Sequence, residues 1–331
     1  MSQKVIQFIG TQRSGSNLLR LMLNQHRGIS APHPPHILKT FIPLLSQYGD
    51  LKVRKNRFLL VDDVCRWVEC NPVEWSLVNF DRDEITDKIT SLLDLFEVVY
   101  EQKCAVDQAE IWCCKSTFNI QYISELEKVI QPFYIYLYRD GRDVATSFKK
   151  AYVGPKHIYQ IAQKWHQEQM ETTSFLSSLV AHRYVQISYE ELIHEPEKTL
   201  HLICEKIGIE FDDIMLDYFN SKESLLTSKS GNMWANVAKP IITNNDQKFH
   251  QLLSAKEIKM FESIAAESLL ALGYRLETSG NTTQWSEKEI LLFDRENKQL
   301  MESLQKSASQ KEHSNRAGQK QLLESISQRK W

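Results

Sequence analysis

A chain of 331 residues, 42% hydrophobic and 25% charged, has an ordinary globular composition and is long enough to bury a sizeable core in one large domain or two small ones. A formal net charge of −2 excludes nucleic-acid binding through bulk electrostatics, so any basic site is local. No apolar run reaches the roughly 20 residues that span a bilayer, and Met1 leads almost directly into the first predicted strand without a basic-then-apolar leader; a cytoplasmic protein with no membrane span is expected. Cys65, Cys70, Cys104, Cys113, Cys114 and Cys204 show no zinc-like pairing and read as reduced, structural thiols.

The run Val5 to Ile9 has strand length and composition, and Leu18, Leu19, Leu21, Met22 and Leu23 recur at helical spacing beyond a glycine-bearing loop. The amides at such a helix start lack intrahelical partners, and the helix dipole adds positive charge, so phosphate or sulfate is the natural occupant. Gly10 and Gly15 have the spacing of a nucleotide-triphosphate loop. Ser16 and Asn17 stand where that loop carries Lys and Ser/Thr, and Arg13 supplies a cation inside the loop. The pattern implies an anionic group held without a metal; a turn serving only strand-to-helix packing is the alternative.

Three prolines in "ISAPHPPHILKTF" force an extended passage before a helix starting near His36 or Ile37. Residues 41–110 read as mostly helical, with Ile85, Ile89, Leu92, Leu93, Phe96 and Val99 on one covered face. "EIWCCKS" then predicts a short buried strand ending at Lys115, "NIQYISELEKVI" a helix, and "PFYIYLYRD" a strand. A long helix, "HIYQIAQKWHQEQMETTSFLSSL", precedes a further strand in "RYVQISYEEL". This alternation predicts an α/β fold with a central parallel sheet flanked by crossover helices. From Gly280 the chain is helix-forming, with apolar Ile290, Phe293, Leu300 and Leu304, then increasingly polar; this tail either pairs with a second subunit or frays in water.

The stretch "YIYLYRDGRDVATSFKKAY" repeats the strand, turn and helix logic, with Arg139 at the strand end, where α/β folds place their ligands. With a helix beginning near Asp143, Ser147 lies slightly more than one turn inside it. Arginine suits phosphate because its planar donors bond two oxygens at once. A surface ion-pair network among Arg139, Asp140, Arg142 and Asp143 is the alternative.

Taken together, "GTQRSGSNLL", "CCKSTFNIQYISEL", "LYRDGRDVATSF", "SYEELIHEPEKTLHLICEKIGI" and "NMWANVAKPI" resemble the motifs of sulfotransferases that use 3′-phosphoadenosine 5′-phosphosulfate (PAPS), in the branch of bacterial and Golgi-type enzymes. The resemblance runs from Val5 to about Tyr274. It implies a sulfotransferase domain over 1–279, with a helical acceptor-side segment at about 41–110, and a helical or partly disordered tail over 280–331. It places Arg13, Ser14, Gly15, Ser16 and Asn17 around the 5′-phosphosulfate, Arg139 and Ser147 on the 3′-phosphate, Tyr189 against adenine, and Lys239 with Asn236 on the cofactor-side loop. Arg13 and Lys115 are implied to stabilise the leaving oxygen, and no metal is required. Glu190 is expected to be structural, and Trp112, Trp165 and Trp234 to be core.

The related enzymes place a glutamate or a histidine as general base at the start of the helix after the first turn. No carboxylate stands between Asn24 and Tyr48, which leaves His36 as the expected base and His33 as its competitor. The implied acceptor is a hydroxyl, less readily an amine, on a small molecule, glycan or lipid. A P-loop kinase, and a non-catalytic PAPS-fold scaffold that forms homo-oligomers through its carboxy-terminal helix, are the other readings.

Overall fold

The computed structural model describes residues 5–281, 283–307 and 315–329. Five parallel strands, β1 (Val5–Ile9), β2 (Ile29–Ser30), β3 (Ile111–Cys114), β4 (Phe133–Tyr138) and β5 (Tyr184–Ser188), form one sheet in the order β2-β3-β1-β4-β5. β1 is central, with Ile6 opposite Cys113 on one side and Phe133 on the other. Strand side chains alternate between faces. Ile6, Phe8, Ile135, Leu137 and Ile187 therefore share a core with the first helix, while Ile9, Tyr134 and Tyr136 pack on the opposite side.

Helix α1 (Ser16–Leu23) follows β1, and α2 (Ile37–Phe41) begins where the proline passage ends. The helical block expected between 41 and 110 contains α3 (Arg54–Glu69), α4 (Arg82–Lys88) and α5 (Leu92–Val106), preceded by a 3-10 segment, Ile42–Tyr48. After β3 a 3-10 turn, Thr117–Tyr122, leads into α6 (Ile123–Val129), so the single helix expected there is split. Then come α7 (Gly141–Lys150), α8 (Ile158–Ser177), α9 (Tyr189–His194), α10 (Pro196–Ile207), α11 (Lys222–Lys229), α12 (Phe249–Leu252), α13 (Ala255–Ala271) and α14 (Glu287–Ser307). Among the described residues no helix is long and apolar enough to cross a membrane.

Two local expectations need correction. Helix α7 starts at Gly141 rather than near Asp143, because the Asp140 carboxylate accepts from the Arg142 amide and caps the helix two residues earlier. Ser147 therefore sits deeper in the helix than expected. The charges Arg139, Asp140, Arg142 and Asp143 form no surface network, since all four are buried. Arg142 bonds Asp140 at 2.7 and 3.0 Å and reaches Glu262 of α13 at 2.6 Å, which fastens the turn after β4 to the helical layer behind it.

The last helix, Ala317–Ser327, folds back on its own chain. Leu322 and Ile326 are buried in the core built by α3 and α5, and Gln319 donates to the Trp67 carbonyl at 3.2 Å. Arg329 closes the end with two bonds of 2.7 and 2.8 Å to buried Asp63, which also accepts from the Tyr48 hydroxyl. On α14, Phe293 packs against His157 and Tyr159, whereas Leu291, Leu292 and Leu300 are exposed. Replacing Arg329 leaves a buried carboxylate short of a donor, at a cost on the order of 1–3 kcal/mol. Arg329→Ala is expected to speed amide exchange across 317–327 roughly 10- to 100-fold while β1 and β4 keep their protection. Unchanged exchange in 317–327 would remove Arg329 from this fastening role.

Candidate functional site

The carboxyl ends of β1, β3, β4 and β5 open on a cleft of about 1320 Å³. Gly10 leaves β1 at φ +115°, and a Cβ there would stand 2.5 Å from the Leu137 carbonyl oxygen of β4, so only glycine permits the turn at this distance from the neighbouring strand. Arg13 is held in the left-handed region at φ 72°, and Gly15 at φ 91° precedes α1, whose start has no side-chain cap. The first-turn amides are thereby left for an outside acceptor. Arg13, Gly15, Ser16 and Asn17 line the cleft, and the buried Ser14 hydroxyl has no partner among the described residues. Asn17 Oδ1 accepts from Arg20 at 3.4 Å, which leaves its amide nitrogen as a donor.

The two motifs expected to hold separate groups touch each other. Arg13 Nε donates to Ser147 Oγ at 2.9 Å, and one Arg139 nitrogen lies 3.4 Å from the Arg13 carbonyl. Arg139 is buried, bonds the Asn245 carbonyl at 2.5 Å, and lies 4.3 Å above the Tyr189 ring, while its Nε has no partner among the described residues. Tyr189 in turn lies against Gly15, where a Cβ would meet its ring at 2.3 Å. Burial and the charge of Arg139 pull Arg13 down to about 10, which still leaves it cationic at neutral pH.

Lys115 leaves β3 into the same cleft. Gln7, buried in β1, donates to the Ser116 carbonyl and accepts from Asn119, so the strand exit is fixed from the neighbouring strand. Burial, then Arg20 and Arg13, lower the Lys115 ammonium to about 7. His33 and His36 stand nearby, and burial followed by the charge of Lys115 holds both well below the usual histidine range, hence neutral at pH 7. His36 has left-handed backbone at φ 57° before α2, and its Nδ1 is 2.8 Å from Ser116 Oγ. The buried His33 Nε2 has no partner among the described residues, and its ring meets Trp234 edge-on at 5.2 Å.

Of the residues read from the sequence, Arg13, Gly15, Ser16, Asn17, His33, His36, Lys115, Arg139, Ser147 and Tyr189 converge on the cleft. Ser14 is buried and is not part of the cleft wall. Lys239 is exposed and absent from the cleft wall; its carbonyl accepts from the Tyr218 hydroxyl at 2.8 Å and its amide donates to the Asn236 carbonyl at 3.2 Å. Trp112 and Trp165 are core, as expected, but Trp234 lines the cleft. Glu190 bonds the Asp140 amide and the Tyr274 hydroxyl, the structural role expected of it. Sequence reasoning missed Asn245 and Lys248, which tie the Tyr189 hydroxyl and each other at 2.5 and 2.6 Å. It also missed that the end of the helical tail adds Arg316, Gln319 and Leu323 to the wall. No local motif marks any of them.

Eight Lys or Arg side chains line the cleft against one carboxylate, Glu324, among the described residues. Such an excess, beside an uncapped helix start and unpartnered buried donors, is suited to a multiply charged anion. The described residues contain no group of His, Cys, Asp and Glu arranged to hold a metal.

The model of the sulfotransferase family matches residues 6–213, well over half of the chain. Among solved structures, the fold is similar to the sulfotransferase domain of the Synechococcus PCC 7002 olefin synthase, with 22% identity, a TM-score of 0.55, and coverage of 80% of this chain and 95% of that one. It is also similar to the sulfotransferase domain from the curacin biosynthetic pathway, with 18% identity, a TM-score of 0.53, and coverage of 83% and 99%. No curated protein sequence matches the chain.

Gly15→Ala forces a side chain into Tyr189 and strains the left-handed backbone, an effect on the order of 1–3 kcal/mol. It is expected to weaken binding of inorganic pyrophosphate about tenfold or more, measured by calorimetry, with far-ultraviolet circular dichroism unchanged. Equal binding by the variant and the wild type would show that the loop does not hold the anion.

Proposed function

We propose a donor and a reaction for this chain, which belongs to the sulfotransferase family: it transfers a sulfuryl group from PAPS to an acceptor hydroxyl and releases adenosine 3′,5′-bisphosphate. The observation that carries the reading is the convergence of the uncapped α1 loop, Lys115 and Arg139 on one cleft dominated by positive charge. Ser14 Oγ and Arg139 Nε, both buried and without a partner among the described residues, fit a ligand that brings several phosphate and sulfate oxygens.

In this reading Arg13, the loop amides and the Ser16 and Asn17 side chains hold the 5′-phosphosulfate. Arg139 and Ser147 hold the 3′-phosphate, and Tyr189 supports the adenosine. The acceptor oxygen attacks sulfur in line as the bond from sulfur to the bridging oxygen breaks. Charge then grows on the leaving phosphate oxygen, where Arg13 and Lys115 stabilise it; a preorganised donor of this kind is typically worth roughly 3 kcal/mol. Lys115 does so only as the ammonium ion, and the anionic donor restores the proton that burial and its cationic neighbours weaken.

The acceptor proton passes to His36. With a proton on Nδ1 given to Ser116 Oγ, Nε2 presents the lone pair a base needs. Both histidines titrate low in the free protein, so loss of the base by protonation occurs only on the acid side of neutrality.

Adenosine 3′,5′-bisphosphate at a hundred times its dissociation constant is expected to add about 2.7 kcal/mol of stability in a thermal unfolding assay. ATP with magnesium should add far less. Arg139→Ala should remove most of the bisphosphate effect and little of that of adenosine 5′-phosphosulfate, which has no 3′-phosphate. Stabilisation by ATP and none by the bisphosphate would sink the donor assignment. For the base, His36→Ala is expected to lower turnover about 10²-fold or more with bisphosphate affinity intact. Near-normal turnover in His36→Ala beside collapse in His33→Ala would move the role to His33.

A further inference from the structure

The last helix supplies a charge that the donor reading leaves unused. Arg316, at the amino end of that helix, lines the cleft, and its guanidinium has no hydrogen bond or ion pair among the described residues. It stands on the side of the histidines, whose protonation it opposes. Lys39 of α2 lines the same side, its ammonium 3.5 Å from the centre of the Phe118 ring, with no carboxylate partner among the described residues. Burial comes first in lowering the Lys39 ammonium from its ordinary value, followed by the charges of Lys164 and Arg316. Two other charges that line the cleft are engaged locally. Lys164 pairs with Glu168 on its own helix, and Glu324 lies 3.8 Å from Lys320.

Two cations that repel each other beside Pro34, Pro35 and Leu323 are held there by tertiary packing, because the last helix is anchored through Gln319, Leu322 and Ile326. We infer that the acceptor carries, besides its hydroxyl, an anionic group, carboxylate or phosphate, which Arg316 and Lys39 bind together, and that the carboxy-terminal helix thereby selects the acceptor. The inference rests on the sulfuryl-transfer reading for the existence of an acceptor. The donor's own charges are assigned to Arg13, Lys115 and Arg139, on the loop side of the cleft.

The test uses the full chain saturated with adenosine 3′,5′-bisphosphate and titrated calorimetrically. Its probes are ω-hydroxycarboxylates of increasing chain length, their methyl esters, and the matching ω-hydroxyalkyl phosphates. At least one anionic compound is expected to bind about tenfold or more tightly than its ester, since charge-assisted bonds to arginine are lost in the ester. The better of the two anionic series identifies the group. Arg316→Gln and Lys39→Gln, each at an exposed or half-buried position, should erase that preference and leave ester and bisphosphate affinities unchanged. No preference for any anionic compound, or variants that weaken ester and anion equally, would overturn the inference. Failure of the wild-type protein to bind the bisphosphate overturns the donor reading itself, and is seen before any hydroxy acid is added.

Discussion

Like charges gathered at one edge of a sheet are the constraint on which the rest of this molecule depends. Arg13 and Arg139 approach each other, Lys115 is lowered to about 7 by burial and by Arg20 and Arg13, and both histidines are kept neutral. A fold holds such an arrangement only if packing elsewhere fixes the backbone that carries it. Here Gly10 lets β1 turn against β4, Gln7 fixes the exit of β3, and the Asp140–Arg142–Glu262 network braces the turn after β4. Each brace stands behind the cleft, and the cations left in front face it with little counter-charge.

The same arrangement separates the braces from the working groups chemically. Arg142 has two carboxylates and lies over the Phe249 ring, and Arg20 is closed off by Glu223, Thr227 and the Ala31 carbonyl. These arginines are satisfied. Arg139 keeps a buried Nε without a partner, and Lys115 has no hydrogen bond from its ammonium among the described residues. In a low-dielectric cleft an unsatisfied donor is costly, so its retention points to a ligand that completes it.

How much of this was legible in the sequence follows from distance along the chain. The loop from Gly10 to Asn17 and the turn at Arg139 are local devices, in which strand, glycine, cation and helix succeed one another within a dozen residues, and both lie where they were expected. The strand alternation of "PFYIYLYRD" likewise reads directly as β4. By contrast, a surface ion-pair network remained an open alternative for the charges after β4 because Glu262, which pairs with Arg142 in the interior, lies 120 residues further on. Asn245, Lys248 and Arg316 reach the site only by tertiary return, and a polar residue in a loop carries no mark of that destination. β2 escaped notice because two residues before a proline passage have too little pattern to read. The tail misled for another reason: its apolar residues are few, but Leu322 and Ile326 meet a ready-made core on α3 and α5.

Calorimetry of adenosine 3′,5′-bisphosphate binding, in two buffers of different ionisation enthalpy, tests the electrostatic account most directly. At about pH 8 the free Lys115 amine is largely neutral, and a bound 5′-phosphate raises its affinity for a proton, so binding takes up close to one proton and weakens as the pH rises further. Lys115→Met is expected to abolish that uptake. Binding without proton uptake, or the same uptake in Lys115→Met, would contradict the claim that the nucleotide relieves a cluster of mutually repelling cations.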